Sequence, residues 1–141
     1  MNKLIAFMGS ILIASFAMAD DFTVGQVWNY ETREHEAGSR LTIVQIDSLH
    51  GQDIVHISVD GLRIRNSYLE SGFGEHISHL PISPEALESS VTKQIGQVKT
   101  LPDYREGYQI WREAFDSGEG GVFSLSVAEC IEFIEQTVNQ N

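Results

Sequence analysis

The stretch Leu41–Asn66, LTIVQIDSLHGQDIVHISVDGLRIRN, reads as three β-strands separated by two turns. Leu41 to Leu49 and Ile54 to Val59 are rich in β-branched residues, which fit a pleated, half-buried surface. His50-Gly51 and Asp60-Gly61 interrupt them, and two-residue hairpin turns favour such pairs because both turn positions need positive φ. Counting outward from Asp60-Gly61 places Val59 opposite Leu62, Ile57 opposite Ile64 and His56 opposite Arg65. Counting from His50-Gly51 places Ile46 opposite Val55, Val44 opposite Ile57 and Thr42 opposite Val59. Opposed residues share a face, so both turns gather the aliphatic side chains on one side. The other side receives Gln45, His56 and Arg65 in one row, with Ile43, Ser58 and Arg63 in the next.

On the N-terminal side, Phe22 to Thr32 carries Val24, Val27, Trp28 and Tyr30 and predicts another strand, followed by a charged loop over Arg33–Ser39. On the C-terminal side, residues 69–76 read as a loop and Glu75–Leu80 as a short strand. Ser83 is then a good N-cap, Pro84 suits the first helical position and Glu85 complements the positive helix end. Leu87, Val91 and Ile95 recur every fourth residue, which predicts a helix up to Gly96. A second helix is expected over Asp103–Phe115, with Tyr104, Tyr108, Trp111 and Phe115 along one face. Val122–Leu125 reads as a short strand. Ser126 and Glu129 have the spacing of a capping box, opening a last helix with Val127, Cys130, Ile131, Ile134 and Val138 as its apolar stripe. Strands first and helices afterwards is the α+β pattern. The expectation is an antiparallel β-meander of about four to five strands with two to three C-terminal helices packed on one face.

The first residues predict export. Lys3 supplies a positive start, an apolar run follows from Leu4 to Phe16, and Ala17-Met18-Ala19 precedes Asp20 and Asp21 as a small-residue cleavage site. The run is too short to span about 30 Å of hydrocarbon as a stable helix. Residues 1–19 are therefore expected to be a signal peptide of bacterial character, and 20–141 one exported domain, periplasmic or extracellular. No cysteine follows the cleavage site, so nothing supports a lipid anchor.

The chain has 141 residues and a formal net charge of −11. The expected signal peptide holds only Lys3 as a charge, so its removal leaves the domain more acidic still. Such a chain is repelled by phosphate backbones and anionic lipid, which argues against nucleic-acid partners and against stable membrane insertion of the mature form. The one cysteine, Cys130, excludes an intrachain disulfide and reads as a small buried hydrophobe on the last helix.

Motifs for chemistry are sparse. Gly118, Gly120 and Gly121 match no phosphate-binding loop, no Gly-x-Ser-x-Gly elbow occurs, and no cofactor is expected. His76 and His79 form the closest histidine pair and the only weak candidate for metal ligation. They lack the glutamate-bearing spacing of a zinc helix, and on a strand they would point to opposite faces. The aromatic stripe of the second helix reads as core more readily than as a ligand cleft. The polar sheet face, with Gln45, His56, Arg63 and Arg65, is the candidate binding surface, since arginine suits carboxylate recognition.

These features favour a small exported, non-catalytic binding module whose partner is another protein or an envelope component. An inhibitor or immunity-type protein is one form this takes. The alternatives are a small secreted hydrolase with a loop-built site around Glu75, His76 and His79, and a structural domain of a cell-envelope assembly.

Overall fold

The computed structural model describes residues 22–140, so the expected signal peptide lies outside the described residues. The fold is α+β. Five antiparallel strands form a meander-like sheet in the order β6-β3-β2-β1-β7. They are β1 (Gln26–Tyr30), β2 (Arg40–Leu49), β3 (Gln52–Asp60), β6 (Ile77–Ile82) and β7 (Val91–Gln97). The short strands β4 (Ile64–Arg65) and β5 (Phe73–Gly74) pair with each other as a separate ribbon. The helices are α1 (Pro84–Ser90), α2 (Arg105–Asp116) and α3 (Val127–Val138).

The turn at His50-Gly51 forms as its sequence predicts, with φ of 51° and 76° at the two positions. Ile46 pairs with Val55 and Gln45 with His56, as counted from that turn. Beyond them the register departs from expectation. Ile43 pairs with Ile57 and Leu41 with Val59, so Val44 is an extra residue in β2. This bulge moves Val44 and Thr42 out of their expected pairings. It also sorts the strand, because Leu41 and Ile43 now share the aliphatic face while Thr42 lies beside Ser58 on the other.

The second turn does not form the expected hairpin. Only Gly61, at φ 70°, takes a positive angle there, whereas the type I′ turn expected of Asp-Gly needs two such residues. Ser39 donates its hydroxyl proton to the Asp60 carbonyl, and a Cβ on Gly61 would meet Ser39 Cα at 3.0 Å. The chain is thereby steered past Ser39 and off the sheet. Leu62 donates its N–H to the Glu75 carbonyl, and the place beside β3 goes to β6, with Ile57 opposite Leu80 and Val59 opposite Ile77.

The expected helix up to Gly96 also stops early. Ser83 caps it by accepting the Ala86 N–H, and the last turn closes with Val91 N–H on the Leu87 carbonyl. Val91 then extends into β7 against β1. A spacing of four is even, so Leu87, Val91 and Ile95 fit a strand face as well as a helix stripe, and β-branched Val91 and Thr92 tip the choice. Two register breaks in the β1–β7 pairing blunt this sheet edge.

Leu41, Ile43, Ile57, Val59, Leu80 and Ile82 build the core with Leu87 of α1 and Val127, Cys130 and Ile131 of α3. The capping box of α3 is formed in both directions between Ser126 and Glu129. The Ser90 hydroxyl accepts the Val127 N–H, so the end of α1 also caps the start of α3. Cys130 is fully buried, and burial pushes its thiol up to about 12. Val122–Leu125 contributes one parallel bridge, Phe123 to Ile82. No helix among the described residues is long and apolar enough to cross a membrane.

A buried ion cluster joins the two ends of the described chain. Arg33, whose side chain is 8% exposed, contacts Glu36 at 2.7 Å, Glu135 at 3.0 Å and Glu132 at 3.3 Å. Glu36 accepts the Arg63 N–H and Glu135 the Arg65 N–H, which fixes β4 against α3.

Candidate functional site

The second face of the sheet is polar at its centre. Alternation along β2 puts Gln45 and Asp47 on that face, and the register brings His56 beside Gln45. Helix α2 lies over them. Its aromatic stripe faces inward, with the Trp111 ring edge-on to His56 at 4.9 Å and Tyr108 edge-on at the same distance. Gly107 permits the approach of α2 to β6, since a Cβ there would lie 3.0 Å from His79 Cβ. None of the α2 side chains is fully buried, so the helix is held by this stripe and its hydrogen bonds rather than by an aliphatic core.

The polar groups under α2 form one directed chain. Asp47 Oδ2 accepts the Tyr108 hydroxyl at 2.7 Å and lies 3.0 Å from His56 Nε2. A carboxylate has no proton to give, so His56 carries its proton on Nε2 and leaves Nδ1 as an acceptor. His79 Nε2, 2.8 Å from that nitrogen, must then be the donor. Gln45 donates to both oxygens of Asp47 and accepts the Tyr104 hydroxyl at 2.9 Å. Arg112 donates to the Tyr108 oxygen.

Burial pushes His79 down to about 4, with His56 beside it adding to the effect. Burial likewise lowers His56, against the opposing pull of Asp47. Burial works to raise Asp47, but the hydrogen bonds from Tyr108 and Gln45 and the His56 ring outweigh it and hold the carboxyl below the usual range. The arrangement keeps both imidazoles neutral and Asp47 ionised. It is an Asp–His–His chain closed over by aromatic rings, and no hydroxyl or thiol among the described residues is hydrogen-bonded to His79.

Of the residues expected to form a polar sheet face, Gln45 and His56 are brought together, but under α2, where His56 is completely buried. Arg63 and Arg65 are elsewhere. Arg65 belongs to β4 and Arg63 immediately precedes it, off the sheet, because the Asp60-Gly61 hairpin that would have placed them there is absent. The Arg63 guanidinium lies over the Phe73 ring at 4.1 Å. His76 is exposed, whereas His79 is engaged with His56. Glu75 is exposed and offers its backbone carbonyl to Leu62. No group of three histidine, cysteine, aspartate or glutamate side chains among the described residues could hold a metal ion.

Sequence reasoning passed over Asp47, the His56–His79 contact and the tyrosine hydroxyls. The signal for Asp47 was its even spacing from Gln45 on one strand. His79 and the tyrosines come from distant segments, so no local motif announces them.

Beside the covered cluster the same face stays open. The segment 98–103 passes over it and leaves a trough in two lobes. One, of about 460 Å³, runs past Val27, Ile95 and Leu101. The other, of about 290 Å³, is lined by Ser58, Ile77, Ser78 and Asp103. Thr42, Asp60 and Pro102 line both lobes.

No family model, no curated protein and no solved structure matches this chain.

Proposed function

We propose that the chain is a small exported, non-catalytic binding module that seats part of a partner protein in the trough under Pro102. The observation that carries this reading is the division of the sheet's second face. Under α2 the polar side chains satisfy one another, while the neighbouring surface keeps an open, mixed apolar and polar concavity of the kind that ligands occupy. The net charge of −11 favours a basic partner and faster encounter with it. In this reading the Asp47–His56–His79 chain positions α2, and through α2 the preceding segment that walls the trough.

The test is affinity capture from the producing organism with residues 20–141, followed by mass spectrometry. The same capture is run with Pro102→Arg/Asp103→Arg, which alters two exposed positions on the trough wall. A stoichiometric protein held by the unaltered chain and lost by the double variant supports the reading. Recovery of the chain alone, or equal capture by both, overturns it.

A further inference from the structure

Thr42 sits at the middle of the trough floor, 7% exposed, and lines both lobes. Among the described residues no group is hydrogen-bonded to its hydroxyl. Buried orphan side-chain atoms do not occur among them, so the oxygen must open onto the trough. Its neighbour Ser58 is equally buried and has already given its hydroxyl proton to the Ser78 carbonyl. Ser58 Oγ can therefore only accept. Asp60 and Asp103 stand at the rim, with His76 beside them. Their partners Arg40, at 3.5 Å, and Arg105, at 3.7 Å, make pairs that are more than half exposed, and such pairs are weak enough for an incoming cation to share.

Two hydroxyl oxygens free to accept, with two carboxylates at the mouth and Pro102 beside them, complement a group that donates and carries positive charge. Ammonium has three donors and no acceptor. We propose that the smaller lobe is a subsite for an alkylammonium group, as a lysine side chain presents. Thr42 and Ser58 accept from the nitrogen, Asp60 and Asp103 supply the counter-charge, and Pro102 flanks the methylene stem. The proposal rests on the binding reading above and names the chemistry of the partner's anchor. An anion would meet two carboxylates there, and a neutral hydroxyl would bring a donor without the charge the rim favours.

The experiment is an amide NMR titration of residues 20–141 with n-butylammonium and with Nα-acetyl-lysine N-methylamide, using n-butanol and n-butyrate as controls. Saturable shifts at Thr42, Ser58 and Ser78 are expected with the ammonium probes, and binding about tenfold weaker in Thr42→Val, the loss expected when a hydrogen bond to a charged group is removed. Asp103→Asn, an exposed rim change, is expected to weaken binding as well and stands in if Thr42→Val fails to fold. Equal or tighter binding of the lysine mimic assigns the source to a protein lysine. Binding of butylammonium alone assigns it to a free small amine. No saturable shift with either ammonium, equal binding of n-butanol, or affinity unchanged in the folded variants overturns the subsite. A trough-dependent partner captured without any ammonium binding would leave the binding reading standing and remove only this assignment.

Discussion

His79 Nε2 lies 2.8 Å from His56 Nδ1, and the two rings stack at 21° with centroids 5.0 Å apart. Because Asp47 fixes the proton of His56 on Nε2, the bond between the rings has one direction only. A second proton on His56 would point at the N–H of His79, so geometry as well as burial opposes it there, while at His79 burial is the main obstacle.

Acid should therefore loosen the domain before its carboxylates titrate. The folded chain holds His79 near 4 against an ordinary 6.5, so between those values the unfolded chain binds the extra proton. Stability from this source is fully present above pH 6.5 and is lost as pH falls towards 4. The loss is up to about 3 kcal/mol. Urea unfolding at a series of pH values should show the slope, and His79→Gln should flatten it. An unchanged slope in the variant would remove His79 as its origin.

The ion cluster makes a contrasting prediction about which charges matter. Arg33→Met strips Glu36, which is fully buried, of its counter-ion and leaves it only the Arg63 N–H. Breaking a buried pair in this way costs about 3–5 kcal/mol. Glu132→Ala removes a half-exposed partner of the same arginine and should cost under about 1 kcal/mol. Chemical denaturation of the two variants decides it, and similar losses would mean that the cluster acts as a surface pair.

Gly107 offers a test of how α2 is seated. Alanine normally stabilises a helix interior over glycine by about 1 kcal/mol. Here the added methyl would lie 3.0 Å from His79 Cβ, so the helix or the ring must give way. Gly107→Ala should lower the melting temperature and change the near-ultraviolet dichroism of Trp111. A gain in stability would show that α2 is free to shift on the sheet.

The limits of the sequence reading follow from the distance over which each feature is decided. The His50-Gly51 turn is local, so it is read correctly, and so are the pairs nearest to it, Ile46–Val55 and Gln45–His56. At the very next residue, the bulge at Val44 resets the register. Its benefit, placing Thr42 on the polar face, is visible only when the neighbouring strands are known. Asp60-Gly61 carries a stronger turn signal than His50-Gly51, yet Ser39, a residue distant in sequence, redirects the chain there. Ser83, Ser126 and Glu129 were legible because caps are settled within one helical turn. The candidate site was half legible. Gln45 and His56 could be paired by counting, but Asp47, His79 and Tyr108 meet only through packing of α2 against β2, β3 and β6.

The bonds from Arg33 to Glu132 and Glu135 bridge 99 and 102 positions of sequence. A chain synthesised from its N-terminus must therefore present this arginine and Glu36 long before the acceptors on the last helix exist. Until then the β4 ribbon lacks the Glu135 carboxylate that ties Arg65 to the last helix. A chain cut before the last helix is therefore expected to lose this closure between its two ends and to be cleaved by proteases faster than the uncut chain.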